Sequence, residues 1–192
     1  MIENNGSLRG YPEATEIEEA NPLSYLTEEV DYLIPAAVEM SINKNNAHQI
    51  KCKAVFEGAN GPTTFEGEEI LLSKGIVIAP DLLTNGGGVT CSYFEWLKNL
   101  EHVSPGKMTK KYEEKSMRKL LDLMGVESRD EINIEGASEK DIVYSALDEI
   151  MSGAVQDNWN FAVHKDLNFR DACLVNAITK IKSHIEETGI TI

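Results

Sequence analysis

No run of apolar residues in this chain approaches the roughly 20 that span a bilayer, and the opening Met1-Ile2-Glu3-Asn4-Asn5-Gly6 has neither a basic start nor an apolar core. It therefore reads as neither a secretory signal nor a transit peptide. Without secretory context, the glycosylation sequon Asn5-Gly6-Ser7 is discounted. Basic residues are scarce, 18 against 32 acids, for a net charge of −14. Such a surface repels a phosphate backbone, so neither nucleic acid nor an anionic membrane is expected as a partner. The one basic cluster, Lys107 to Lys111, is followed at once by Glu113 and Glu114 and reads as a solvated helix face. Cysteine is sparse too. Cys52, Cys91 and Cys173 lie far apart, cannot all pair, and read as reduced interior residues of an intracellular protein.

Several chemistries are missing as well. There is no serine elbow, no Cys-His pair and no phosphate-binding loop ending in Lys-Ser or Lys-Thr. His48, His102, His164 and His184 have no acidic or cysteine partners at ligand spacing, which points to surface or capping roles and to no metal. Asp31, Glu57 and Asp81 fall near strand ends and read as turn or cap residues. No catalytic group is assigned.

What is present is an ordinary globular composition, 42% apolar and 26% charged over 192 residues, enough for one domain or one and a fraction at roughly 100–200 residues each. Residues 1–30 are acidic and turn-rich, and irregular structure is expected there. Apolar runs at 31–35, 51–57 and 76–79 predict strands, with a helix over 65–74 between the last two and a short helix within 40–49. Strand-helix-strand alternation implies a parallel sheet with right-handed crossovers. Helical spacing takes over at Gly86, with Tyr93, Trp96, Leu97 and Leu100 on the first stripe. Further helices are expected over 110–124, from Ser138 with Asp141 as capping partner, and over 169–188 with a stop at Gly189. The expected buried face of the helix from Ser138 is Ile142, Val143, Ala146, Leu147, Ile150, Met151 and Ala154. The fold class is thus α/β, a partial Rossmann-like doubly wound parallel sheet of about three strands followed by a helical segment. The expected limits are 1–30, 31–100 for the partial dinucleotide-binding domain, and 101–192.

Two segments carry most information: Glu57-Gly58-Ala59-Asn60-Gly61-Pro62-Thr63-Thr64, and Asn85-Gly86-Gly87-Gly88-Val89-Thr90-Cys91-Ser92-Tyr93-Phe94-Glu95-Trp96. Each follows a strand-like run and exposes backbone at a Gly-rich turn. In open parallel sheets, ligands bind at the carboxyl ends of strands, where small residues let backbone approach them. Asn60 and Asn85 carry amides that both donate and accept, suited to a carboxamide or a ribose. From the residues alone the turn reading comes first, asparagines being tolerated at positive φ beside glycine.

These segments resemble the hexameric glutamate dehydrogenases of animals and protists. The resemblance extends to Tyr32-Leu33-Ile34-Pro35-Ala36-Ala37, Lys107-Met108-Thr109, Gly136-Ala137-Ser138-Glu139-Lys140-Asp141-Ile142-Val143 and Val175-Asn176-Ala177-Ile178, and it runs almost unbroken from about Gly6 onward. It implies NAD- or NADP-dependent oxidative deamination of L-glutamate to 2-oxoglutarate and ammonia. It also implies cofactor contacts at Ala37, Asn60 and Asn85, substrate contacts at Val89 and Ser92, a homo-oligomer, and a mitochondrial-matrix or cytoplasmic location. The family's N-terminal substrate domain, with its catalytic lysine and aspartate, has no counterpart in this sequence, nor has the glycine-rich fingerprint turn. The expected state is therefore the C-terminal part of such an enzyme, inactive or nearly so alone, partnered by the N-terminal portion or other subunits. The alternative is a non-catalytic structural module of a larger assembly. Between Lys110 and Glu135 there is room for one helix and a connection, so the family's long regulatory antenna is not expected.

Overall fold

The computed structural model describes residues 23–102, 105–126 and 134–189. The expectations for residues 1–22 and most of the connection after Gly125 lie outside them. The chain divides into two compact units, Met1–Ala79 and Pro80–Ile192.

The first unit is built on three parallel strands, β1 (Tyr32–Leu33), β2 (Ala54–Phe56) and β3 (Val77–Ala79), in the order β1-β2-β3. Leu33 pairs with Val55 and Val55 with Ile78, so these three point to the same face. That face is buried with Leu71, Ile42, Ile50 and Leu26, and each such enclosed side chain contributes about 1.5–3 kcal/mol. Helix α1 (Phe65–Ser73) is the crossover from β2 to β3. It starts where expected because Thr64 accepts from the Gly67 amide at 3.2 Å, with Glu66 and Glu68 in the first turn, and it stops before Gly75 at φ 75°. Lys74 then reaches the carbonyls of His48 and Ile50. The opposite face of the sheet presents Tyr32, Phe56 and Val77 as exposed side chains, with the Tyr32 and Phe56 rings edge to face at 5.9 Å.

The α/β class and the three-strand parallel sheet agree with the sequence reading. The short helix expected within 40–49 shrinks to one 3-10 turn at Ala47–Gln49. Its asparagines bond the local backbone instead of continuing a helix: Asn46 Nδ2 donates to the Ser41 carbonyl at 2.6 Å, and the Asn43 amide donates to Asn46 Oδ1 at 2.8 Å.

In the second unit the described residues form helices α2 (Asp81–Thr84), α3 (Gly86–Glu101), α4 (Pro105–Leu123), α5 (Glu139–Lys165) and α6 (Phe169–Thr188). Helix α6 has the expected bounds, because Asn168 accepts from the Asp171 amide at 2.8 Å and Gly189 closes it at φ 76°. Helix α5 carries the expected capping box between Ser138 and Asp141, which holds the Asp141 carboxyl below its usual range. Its expected buried face is only partly covered, and Ile150 is exposed. Helix α4 begins five residues before the expected Lys110, since proline fits the first helical position. Helix α2 was not foreseen, being a single turn with no periodicity to detect. Helices α5 and α6 pack through an edge-to-face contact of Trp159 with Phe169 and a 2.8 Å bond from Asn176 Nδ2 to Asn158 Oδ1.

Helix α4 is fastened to the start of α5 by a carboxylate clasp. Glu113 accepts from the Ala137 amide at 2.7 Å, and Glu114 accepts from Gly136 at 3.4 Å. A Cβ on Gly136 would meet the Lys110 carbonyl oxygen at 2.5 Å, so glycine is required there. Gly136→Ala is expected to destabilise the chain by about 1–3 kcal/mol, read from urea unfolding midpoints. An unchanged midpoint would show that this approach relaxes freely.

Candidate functional site

In the first unit the site begins where β1 and β2 end. Pro35 closes β1, and its carbonyl accepts from both Gly58 and Ala59, at 3.1 and 2.9 Å. This fork ties the Pro35-Ala36-Ala37 turn to the Gly58-Ala59-Asn60 turn. Gly58 is obligatory, because a Cβ there would lie 2.9 Å from the Cβ of Ala36. Beyond the fork, Met40 donates to the Gly61 carbonyl and Ile42 to that of Pro62, each at 2.9 Å. The same segment bends through Gly61 at φ 53° and Met40 at φ 51°. A methionine in the left-handed region carries strain of roughly 1–2 kcal/mol. Ala37 and Asn60, both exposed, are thus brought together on one rim.

Glu57, the residue before this loop, is fully buried, and its amide donates to the Ala79 carbonyl at 3.1 Å. The sequence reading placed it in a turn or cap. Nothing in the local pattern marked it for enclosure, which comes from its place directly after the middle strand.

In the second unit Asn85 ends α2 and precedes the three glycines that open α3. Its φ is −93°, and its side chain makes no capping bond to α3. Among the described residues, only Met40, His102 and Asp166 are non-glycines at positive φ. Neither Asn60 nor Asn85 is therefore in the left-handed conformation that the sequence reading allowed for. Among the described residues no close contact requires glycine at these positions. Gly86 and Gly88 would have open space around a Cβ, and Gly87 would make an ordinary contact with Leu147. Each costs about 0.8–1 kcal/mol relative to alanine within a helix. A helix start kept bare at that cost leaves room for something outside this chain to lie against the backbone.

Val89 and Ser92 follow on α3, both exposed. Ser92 Oγ donates to the Gly88 carbonyl at 3.1 Å, so it must turn away from the helix to donate to a ligand. It is also the seventh residue of α3 rather than a member of its first turn, where the helix dipole acts most strongly. An exposed stripe of Val89, Tyr93, Trp96 and Leu100 continues along the helix.

The remaining candidates are placed as follows. The four histidines are exposed, and His102 caps the end of α3. No group of His, Cys, Asp or Glu suited to a metal occurs among the described residues. Cys52 and Cys173 are buried, and burial raises their thiol pKa values. Asp31 pairs with Lys53 in solvent, while Asp81 pairs with Arg170 in a largely enclosed setting.

Comparison with known proteins adds identity to this geometry. The family model for glutamate/leucine/phenylalanine/valine dehydrogenases matches residues 1–135. The mitochondrial glutamate dehydrogenase of Dictyostelium discoideum is 43% identical, over 96% of this chain and 38% of that protein. A glutamate dehydrogenase of Thermotoga maritima is 34% identical, over 97% of this chain and 36% of that protein. This chain therefore spans a little over a third of the length of these relatives. Among solved structures, glutamate dehydrogenase from Peptoniphilus asaccharolyticus superposes with a TM-score of 0.60 at 29% identity, covering 81% of this chain and 31% of that one. The hetero-hexameric glutamate dehydrogenase of Thermus thermophilus gives 0.68 at 23% identity, covering 90% and 33%, a likeness of fold alone.

The bare helix start has a direct test. Gly86→Ala and Gly88→Ala should each stabilise the chain, by about 0.5–1 kcal/mol, in urea unfolding. Destabilisation would mean that an internal constraint on these glycines had been overlooked.

Proposed function

This chain belongs to the glutamate/leucine/phenylalanine/valine dehydrogenase family, and we propose that it forms the C-terminal, nicotinamide-orienting part of an NAD- or NADP-dependent glutamate dehydrogenase. The observation that carries this reading is the exposed placement of Asn60 beside Ala37 at the ends of β1 and β2, together with a glycine start to α3 that no contact among the described residues requires. Glutamate is favoured over the other substrates in the family's name because the Ser-Tyr-Phe-Glu-Trp and Gly-Ala-Ser-Glu-Lys-Asp segments resemble the glutamate enzymes. The two curated relatives above are also both glutamate dehydrogenases.

When bound, the nicotinamide supplies the redox chemistry by accepting or giving a hydride. Asn60 and Asn85 would orient it, each with one donating and one accepting amide end, suited to a carboxamide or ribose hydroxyls. Ala37 would bound the same region without crowding it. Val89 would pack against the methylenes of glutamate. Ser92 would give up its bond to the Gly88 carbonyl to donate to the substrate carboxylate. None of these residues moves protons at physiological pH, so acid-base work falls to the part of the enzyme outside this sequence. Positioned proton-transfer groups contribute on the order of 10²–10⁴-fold each, so the chain alone is expected to turn over little or no glutamate.

The domain limits at 30/31 and 100/101, assembly into a homo-oligomer, and a mitochondrial-matrix or cytoplasmic location belong to the same proposal. A second reading, a non-catalytic module of a larger assembly, is favoured by the exposed apolar face of Tyr32, Phe56 and Val77. Parallel sheets are ordinarily covered on both faces, and a bare one calls for a partner.

The deciding experiment mixes the chain with the N-terminal portion of a family glutamate dehydrogenase and follows glutamate-dependent reduction of NAD and NADP. Activity is expected only in the associated complex, and Asn60→Ala or Asn85→Ala should raise the cofactor KM at least tenfold, equivalent to about 1.4 kcal/mol. A well-formed complex without turnover would instead support the structural module.

A further inference from the structure

The geometry points to Arg170 as a positioning residue for Asn85, acting through the carboxylate of Asp81. The inference rests on the proposed role of Asn85 at the nicotinamide. Helix α2 is a single turn, and a turn that short has no stability of its own. Its two ends are Asp81, the first residue, and Asn85, the residue that closes it. The Asn85 amide donates to the Asp81 carbonyl at 3.0 Å, and Thr84 bonds the Pro80 carbonyl through both its amide and its hydroxyl. Wherever Asp81 is held, Asn85 follows one turn later.

Asp81 is held from α6. Arg170 NH1 donates to Asp81 Oδ1 at 3.1 Å, and the two side chains are only 19% and 20% exposed. The same oxygen accepts from the Leu82 amide at 2.9 Å. An exposed pair such as Lys53 with Asp31 is screened by water and contributes little, whereas an enclosed charged bond keeps more of its strength. Arg170 is also in an unfavourable place for a cation. It is the second residue of α6, where the helix dipole disfavours positive charge. Its helix is fixed around it by the Asn168 cap and by buried Ala172 and Cys173. A cation placed against the dipole, on a fixed helix end and directed at the first residue of α2, is accounted for by its grip on Asp81. Leu83, buried in the same turn, anchors the other side. No sequence pattern links these partners, which are 89 residues apart.

The test uses the full chain labelled with nitrogen-15. Asp81→Asn keeps the shape and the acceptor for Leu82 while removing the charge. Arg170→Gln removes the other partner. In both variants the backbone resonances of Thr84 to Gly87 and the side-chain amide of Asn85 are expected to shift, with those of the middle of α5 unchanged. The reversed pair, Asp81→Arg with Arg170→Asp, should bring them back. Unshifted Asn85 resonances in folded Asp81→Asn overturn the proposal, and this variant decides the matter if Arg170→Gln does not fold. In the associated complex, Arg170→Gln and Asn85→Ala should each raise the cofactor KM roughly tenfold, and the double variant no further than the larger single effect. Effects that multiply would show that Arg170 does not act through Asn85. If Asn85→Ala leaves turnover intact while Arg170→Gln still moves the Asn85 resonances, the nicotinamide role falls and the positioning pair stands.

Discussion

The Pro35 carbonyl accepts from two successive amides, Gly58 and Ala59, and the rim of the first unit that carries Ala37 and Asn60 is arranged around that fork. Proline ends β1 cleanly because it cannot donate to a continuing ladder, yet its carbonyl remains free to accept. The acceptor lies at the end of one strand and the donors at the end of its neighbour, so the two loops leave the sheet together. Side chains are excluded from this region by distance: Gly58 already stands against Ala36 with no room for a Cβ. Small residues are therefore a geometric consequence of the fork, and Asn60 follows it directly on one side while Ala37 lies two residues beyond it on the other.

The second unit depends on a different kind of fastening. Its helices are set by caps and clasps between polar groups and exposed backbone amides: Ser138 with Asp141, Asn168 with Asp171, and Glu113 and Glu114 with the backbone before α5. Such bonds specify where elements start and how they meet, but they bury little apolar surface. The stripes on α3, on α4 at Met117, Leu120 and Leu123, and on α6 at Ile178, Ile181 and Ile185 remain exposed. Apolar faces this extensive mark surfaces that pack against something else.

How much of this was legible in the sequence depended on how local the deciding interaction was. The bounds of α6 and the cap of α5 could be read directly, because cap and partner lie three residues apart. The strands at 32–33, 54–56 and 77–79 followed from apolar runs punctuated by proline and glycine. The start of α4 was misjudged by taking the charged pattern at Lys110 as the signal and passing over Pro105. Helix α2, the burial of Glu57, the approach of Gly136 to Lys110 and the pairing of Arg170 with Asp81 were invisible for one common reason. Each depends on residues or elements brought together by the fold, and no periodicity encodes such a meeting.

The site itself was legible as a motif before it was legible as a physical arrangement. From the residues alone, an asparagine beside glycine is explained first by a turn, and only the family resemblance reverses that order. The backbone angle narrows the turn explanation without removing it, since Asn85 sits at −93° and not in the left-handed region. The glycines of α3 are a separate observation: among the described residues no close contact requires them. On the reading proposed above, Ala37 and Asn60 of the first unit and Asn85, Val89 and Ser92 of the second would supply orientation only. Hydride transfer from an amino acid also requires a group that takes a proton from nitrogen and another that activates water. Amides, methyl groups and a hydroxyl do neither at neutral pH, so on that reading both groups would come from other residues of the enzyme.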